Sequence, residues 1–331
     1  MSCQPTLAET IRRGDPVPFP LAPVLSAASV FVRFGMALRL RRPVQEVDAR
    51  VISFGNITAG GTGKTPAVIE RARQEREQGK KVGILTRGYG SASGSNITVW
   101  TQPPSPEQRP LLGDEPTLIL AKAPGVIVFK GRNRVDAAHK AVNEHACDIL
   151  LLDDGFQHTM LARDENILLI DASNPFGNGH ILPRGTLREP LPAMNRATEI
   201  ILTRCDQADD LEGLLTTINR HAPDIPMRKT VHRAVGLRRL CDNSILPIEE
   251  LQDMEITAAC AIGNPEAFFT TLENLGARIT RRSAHRDHAQ IPPETFAGTR
   301  PVVITEKDAM RIDEPKENTF ALEIELRDLE A

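Results

Sequence analysis

Short apolar, β-branched runs recur along the chain at 51–54, 82–86, 126–130, 149–153, 167–171, 199–203 and 227–232. Segments between them, such as 66–78 and 133–146, are helix-like, and the second is apolar at spacings of three and four. A half-exposed strand alternates apolar with polar positions. These runs are continuous, which predicts a parallel sheet covered by helices on both faces. Residues 91–110, rich in Ser, Pro and Gly, predict a surface loop or hairpin. Around 227–247 the pattern changes to short extended pieces with Arg and Pro, suited to a connection between domains. Beyond it, the runs 256–263, 301–307 and 320–326 and a helix from Pro265 to about Leu275 predict a second, smaller α/β unit. A chain of 331 residues has room for both.

The N-terminal part follows another pattern. Leu21 to Val32 is apolar apart from Ser26 and Ser29, and Arg33 interrupts it. That stretch is about a dozen residues, short of the roughly 20 that a membrane span needs. Arg33, Arg39, Arg41 and Arg42 follow it with no acid among residues 33–42, the reverse of a secretory signal. Pro23 can start a helix here and Pro43 can end it, with Ser26, Ser29 and Arg33 on one face. Such a helix suits either the interface of an anionic bilayer or the protein's own core.

Composition narrows the classes. A net charge of −3 gives no electrostatic case for a nucleic-acid partner. Cys3, Cys147, Cys205, Cys241 and Cys260 are odd in number and lie far apart, which argues against a disulfide framework or a zinc site.

The strongest chemical signal is Ser53-Phe54-Gly55-Asn56-Ile57-Thr58-Ala59-Gly60-Gly61-Thr62-Gly63-Lys64-Thr65-Pro66. An apolar strand runs into a Gly-rich turn and then a helix. Such a turn converges backbone N–H groups on phosphate oxygens, and the helix N-terminus adds positive potential. Residues Thr58 to Thr65 would cradle the phosphates, with Lys64 on the β/γ-phosphates and the Thr65 hydroxyl on Mg²⁺. Thr58 stands where the first glycine of such loops is usual. The run Ile149–Leu152 ends in Asp153 and Asp154, the acidic strand end that holds Mg²⁺ in these proteins. Adjacent acids on an extended chain would point opposite ways.

Three kinds of P-loop protein compete: a small-molecule or lipid kinase, a GTPase switch and a membrane-associated partition-type ATPase. Thr203-Arg204-Cys205-Asp206 imitates a guanine-reading [NT]-K-x-D loop, but its lysine is replaced and no D-x-x-G follows the Asp153 strand as expected. Partition-type ATPases carry a signature lysine where this chain has Ala59.

The ordered motifs resemble the tetraacyldisaccharide 4'-kinases of lipid A biosynthesis. They are Phe54–Pro66, Arg87-Gly88-Tyr89-Gly90, Gly113-Asp114-Glu115-Pro116, Asp153-Asp154-Gly155-Phe156-Gln157-His158 and Leu187-Arg188-Glu189-Pro190. Ile262-Gly263-Asn264-Pro265, Asp287-His288 and Thr305-Glu306-Lys307-Asp308 follow in the second unit. The resemblance covers about residues 21–310. It implies transfer of the ATP γ-phosphate, with Mg²⁺, to the 4'-hydroxyl of a tetraacylated glucosamine disaccharide 1-phosphate, giving lipid IVA. It also implies peripheral attachment at the cytoplasmic face of the inner membrane, with a membrane surface and the lipid as partners, no nucleic acid and no evident protein partner. The alternative is a membrane-associated ATPase or GTPase switch.

By the same resemblance, Asp114 is the base that receives the hydroxyl proton and His288 its partner, while Lys64 neutralises the transferring phosphoryl group. A histidinium would orient the aspartate; a neutral imidazole could take the proton itself. The metal set is Thr65 with Asp153 or Asp154, assisted by Glu189. Arg188 would hold a phosphate, and Gln157 and His158 would face the substrate. Two departures stand out: the family's Phe-Pro-Asp-His-His reads His285-Arg286-Asp287-His288-Ala289, making His285 a rival partner, and Arg184 replaces a small residue in Leu182-Pro183-Arg184-Gly185. The expected layout is a membrane-interface helix region (1–43), a P-loop kinase core (44–228) and a smaller C-terminal α/β domain (229–331), with a hinge near 229–247.

Overall fold

The computed structural model describes residues 17–87 and 96–330, together with Leu7, Thr10 and Ile11. From the N-terminal side these form α1 (Leu21–Leu40), β1 (Arg50–Gly55), α2 (Lys64–Glu77), β2 (Val82–Thr86) and β3 (Thr98–Trp100). Then come α3 (Arg109–Leu112), α4 (Asp114–Lys122), β4 (Ile127–Lys130), α5 (Arg134–Asn143), β5 (Ile149–Leu152) and β6 (Glu165–Asp171). β7 (Glu199–Thr203), α6 (Leu211–His221), β8 (Met227–Arg239), β9 (Ile245–Leu246) and β10 (Glu255–Cys260) follow. The chain closes with α7 (Pro265–Asn274), β11 (Arg278–Ala284), β12 (Val302–Thr305), α8 (Glu306–Ala309) and β13 (Thr319–Asp328). Local chemistry sets several helix starts. Asn133, Asp210, Asn264 and Thr305 each accept backbone N–H bonds from the first turn that they precede.

Two compact units form, each from separated stretches. The first takes residues up to Lys64, Leu152–Thr230 and the end from Asp328; the second takes Thr65–Leu151 and Val231–Arg327. In the first unit β1, β6, β7 and the start of β8 pair in parallel, in the order β8-β7-β6-β1. The strand side chains Leu168, Ile170, Ile200 and Leu202 pack with Phe156, Leu187, Met194, Leu214 and Ile218 into one core.

In the second unit β2 pairs in parallel with β4, and β3 runs antiparallel to β4. Further along its sequence β11, β10, β12 and β13 are parallel neighbours. Alternate residues along β10 and into Ala261 just after it enter different clusters: Ala258 and Cys260 pack with Phe268, Phe269 and Leu272, whereas Ala259 and Ala261 pack with Ile291 and Phe296. Both faces of this strand are therefore covered, and its unbroken apolar run follows from that.

Three expectations are corrected. The apolar stretch at the N-terminus is longer than a dozen residues: past Arg33, Phe34, Met36 and Leu38 continue it along the same helix as far as Leu40. It is long and apolar enough to cross a membrane by length and composition, and none of its residues is buried. Pro23 falls within its first turn, where the missing N–H costs nothing, rather than at its start. The short extended pieces expected at 227–247 are instead one 13-residue strand, β8, and a hairpin to β9. Lys229, Arg233 and Val235 sit at its exposed positions, a period of two that charged residues tolerate. Within 91–110 the described part is β3 and short helical turns, while residues 88–95, including most of Arg87-Gly88-Tyr89-Gly90, lie outside the described residues.

Candidate functional site

β1 ends at Gly55 and α2 begins at Lys64, so the Gly-rich segment is a turn between a parallel strand and a helix N-terminus. Gly60 and Gly63 hold φ values of 140° and 78°, open to glycine and strained for other residues. The turn is tied on both sides within its unit. Ala59 N–H donates to Thr186 O (2.7 Å), and Arg188 N–H donates to Ile57 O (2.6 Å). On the other side Thr203 Oγ1 donates to Thr62 O (3.1 Å), and Arg204 Nη1 reaches Gly61 O (3.4 Å) while pairing with Asp171 at 2.6 Å. The sequence that imitates a guanine-reading loop thus uses its Thr and Arg to brace the phosphate turn.

Lys64 Nζ lies 3.5 Å from Asp154 Oδ1 and 3.3 Å from Asn56 Oδ1. Asp154 also accepts both bonds of a fork from Arg188 Nη1, at 3.0 and 2.9 Å. The two acids lie beyond the strand, so strand alternation does not place them. β5 stops at Leu152, Asp153 is buried, and Asp154 turns through a left-handed φ of 54°. Gly155 allows the close approach behind them: its N–H donates to Phe54 O (2.7 Å), and a Cβ there would sit 2.5 Å from Ser53 Oγ.

The other residues read from this motif serve each other. Gln157 Nε2 donates to Asn56 O (2.8 Å) and Glu189 Oε1 (2.9 Å). Buried Glu189 takes a two-oxygen bond from Arg196, at 2.7 and 2.8 Å, so its carboxylate is engaged by a guanidinium. His158 is half-buried, its N–H donating to Gly155 O (2.8 Å). Arg163, which the sequence reading missed, reaches the carbonyls of Gly155 and Phe156. Its pKa is pushed down to about 10 by burial and by the nearby Arg196 charge, with Glu189 opposing.

The second cluster lies in the other unit. Asp114 opens α4 behind Gly113, whose φ is 97°. His288 Nδ1 is 3.0 Å from Asp114 Oδ2, and Arg311 Nε is 3.4 Å from the same oxygen. The rival His285 is elsewhere, its Nε2 at 2.9 Å from Ser283 Oγ. His288 has a left-handed φ of 65° and is held by its N–H on Ala261 O (3.2 Å). Lys307 Nζ reaches Glu115 Oε1 (3.0 Å), Asp287 Oδ1 (3.4 Å) and His288 Nε2 (3.4 Å). Burial alone would lower the Lys307 pKa; Glu115, Asp287 and Asp114 outweigh it and raise it. Arg311 is anchored by Asp308 Oδ1 (2.6 Å) and Ala289 O (2.7 Å). Burial raises the pKa of Asp308, against the pull of Arg311 and of bonds from Thr305 and Ala261 N–H. Neither Lys307 nor Arg311 was singled out as a site residue from the sequence. Long-range ion pairing leaves no local pattern.

Fold and turn together define a P-loop nucleotide-binding protein. Its sequence matches the family model of tetraacyldisaccharide-1-phosphate 4'-kinases over residues 20–330, so the chain belongs to that family. The tetraacyldisaccharide 4'-kinase of Anaeromyxobacter sp. (strain K) is 37% identical over 312 residues, covering 91% of this chain and 82% of the relative. That of Syntrophus aciditrophicus is 35% identical over 325 residues, covering 91% and 86%. Among solved structures, LpxK from Aquifex aeolicus, crystallised with ATP, is similar at a TM-score of 0.73 and 27% identity, covering 93% of this chain and 95% of that one.

Proposed function

We propose that this protein transfers the γ-phosphate of ATP to the 4'-hydroxyl of a tetraacylated glucosamine disaccharide 1-phosphate, at the cytoplasmic face of a bacterial inner membrane. The observation that carries the reading is the family match over residues 20–330 in a chain whose Gly-rich turn is braced for phosphate. ATP as donor is supported by the nucleotide in the Aquifex aeolicus structure.

In this reading the backbone of Thr58–Thr65 binds the phosphates and Lys64 neutralises charge that builds on the transferring group, the leading electrostatic contribution in phosphoryl transfer. Asp154 holds Lys64 and Arg188 beside each other at the end of β5. The oxygen donors of Thr65 and the Asp153–Asp154 pair suit Mg²⁺, which is commonly held by one or two carboxylates plus substrate phosphates rather than by a protein cage. Asp154 is already shared by two cations, which favours Asp153 as the carboxylate and leaves Glu189 to fix Gln157. The ion when bound would draw charge from the phosphate oxygens. Asp114 receives the hydroxyl proton as the oxygen attacks phosphorus, and His288 holds its carboxylate.

The apolar side of α1 supports residence on the lipid surface. Val24, Val30, Phe31 and Phe34 are all more than 60% exposed. Its polar side faces the protein, with Ser29 Oγ donating to Ile181 O (2.9 Å) and Arg184 Nη1 to Ser26 Oγ (3.0 Å). The arginine that departs from the family pattern is therefore the one that seats the helix. The deciding experiment mixes γ-labelled ATP, Mg²⁺ and the disaccharide 1-phosphate in detergent. A doubly phosphorylated lipid is expected, and label released only as inorganic phosphate would reject the reading.

A further inference from the structure

Lys307 stands at the one ring nitrogen of His288 that Asp114 does not engage. An ammonium has three protons to give and no lone pair, so it can face an imidazole nitrogen only where that nitrogen is an acceptor. Its Nζ lies 3.4 Å from His288 Nε2, and the opposite nitrogen, Nδ1, lies 3.0 Å from a carboxylate oxygen that can only accept. These two contacts are satisfied together by a single protonation state: Nδ1 carries the hydrogen and Nε2 carries the lone pair. The carboxylate that would favour the opposite arrangement, Asp287 Oδ1, stands 3.8 Å from Nε2 and is itself 3.4 Å from the ammonium.

We propose that Lys307 is a positioning residue that locks His288 in its neutral Nδ1–H tautomer, so that the imidazole serves as a donor to Asp114 and is barred from acting as the base. The charges around the ring agree. Lys307 and Arg311 present positive charge from the α8 segment, and Asp114, Glu115 and Asp287 present negative charge from α4 and the 285–289 loop. Nε2 faces the ammonium, whose protons leave that nitrogen the acceptor role alone. Glu115 and Asp287 keep that ammonium charged and in place, and its raised pKa is the result. Two chemically different roles for an aspartate–histidine pair are thereby separated: the carboxylate accepts the hydroxyl proton, and the ring steadies the carboxylate through one hydrogen bond.

The inference rests on Asp114 as base, but its test does not depend on turnover. Full-length protein labelled with ¹⁵N-histidine is observed through the histidine titration range, with His288→Gln used to assign the ring. The wild-type ring is expected to show a protonated Nδ1 and an unprotonated Nε2. Lys307→Met should lose that preference and lower kcat by about 10- to 100-fold. Its KM for ATP should hold, and Lys307→Arg should recover most of the rate. A wild-type ring protonated at Nε2 overturns the proposal whatever the stability of the Met variant. So does a Met variant with an unchanged ring spectrum. A wild-type protein with the expected ring but no transfer to lipid would reject the kinase reading and leave the tautomer standing.

Discussion

His288 Nδ1 lies 3.0 Å from Asp114 Oδ2, although 174 residues separate the two along the chain. Asp114 gains a helix N-terminus as well, being the first residue of α4, so its carboxylate is held by a dipole, an imidazole and Arg311. Asp114→Asn keeps shape and loses the proton acceptor. It should lower kcat by about 10²- to 10⁴-fold, with the KM for ATP nearly unchanged. Steady-state kinetics with the lipid acceptor checks this, and near-normal turnover would remove Asp114 as base.

Arg204 and Asp171 form a buried pair with side chains 10% and 7% exposed. Removing one partner leaves the other charged and buried. Arg204→Met should therefore cost about 3–5 kcal/mol in denaturant unfolding. It should also raise the KM for ATP, because Gly61 O in the phosphate turn loses its guanidinium. Arg204→Met combined with Asp171→Leu should recover much of the stability but not the KM. Equal recovery of both would mean that the brace has no role in nucleotide binding.

The Lys307 ion pairs carry a definite pH signature. Its folded pKa lies above the ordinary lysine value. The stability that it contributes is fully present below the unfolded value of about 10.4 and is lost as pH rises through the higher folded one. The difference in unfolding midpoint between wild type and Lys307→Met should stay constant across the neutral range and shrink only in strong alkali. A difference that closes near neutrality would show that the lysine is not held by those carboxylates.

Thiol chemistry should separate the described cysteines by burial. Burial pushes the Cys147 thiol up to about 11 and raises Cys205 and Cys260 too, while Cys241 is exposed. Thiolates alkylate and thiols do not. Brief iodoacetamide treatment of folded protein at mildly alkaline pH should label Cys241 and spare the other three, as read by peptide mass. Fast labelling of Cys260 would contradict the packing around β10.

For α1, Phe31→Ser together with Phe34→Ser should weaken sedimentation with anionic vesicles by at least tenfold, since a fully buried Phe is worth about 1.5–3 kcal/mol. Deleting residues 1–43 should abolish it. Unchanged binding of the deletion would place the lipid contact elsewhere.

Much of the scaffold is legible in the sequence because it is local. The runs at 51–54, 82–86, 149–153, 167–171 and 199–203 coincide with strands, and Gly63-Lys64-Thr65 marks the start of α2. What is illegible depends on distant partners or on backbone state. Nothing near Lys307 signals that it meets Glu115, 192 residues away, or that Arg196 occupies Glu189. The left-handed turn at Asp154 cannot be seen in two adjacent acids. The two prolines bracket α1, but its full apolar length is masked because Arg33 interrupts the hydropathy and not the helix.

Ser26 and Ser29 tie α1 to the remainder of the first unit. Ile181 and Arg184, which they engage, belong to the same short stretch as Thr186 and Arg188, whose backbone bonds to Ala59 and Ile57 frame the Gly-rich turn. The rod and the nucleotide cradle thus share a strut only a few residues long. The residues that seat the rod and those that frame the turn are neighbours on one piece of backbone, and from Arg184 a change in either reaches the other through no more than four peptide bonds.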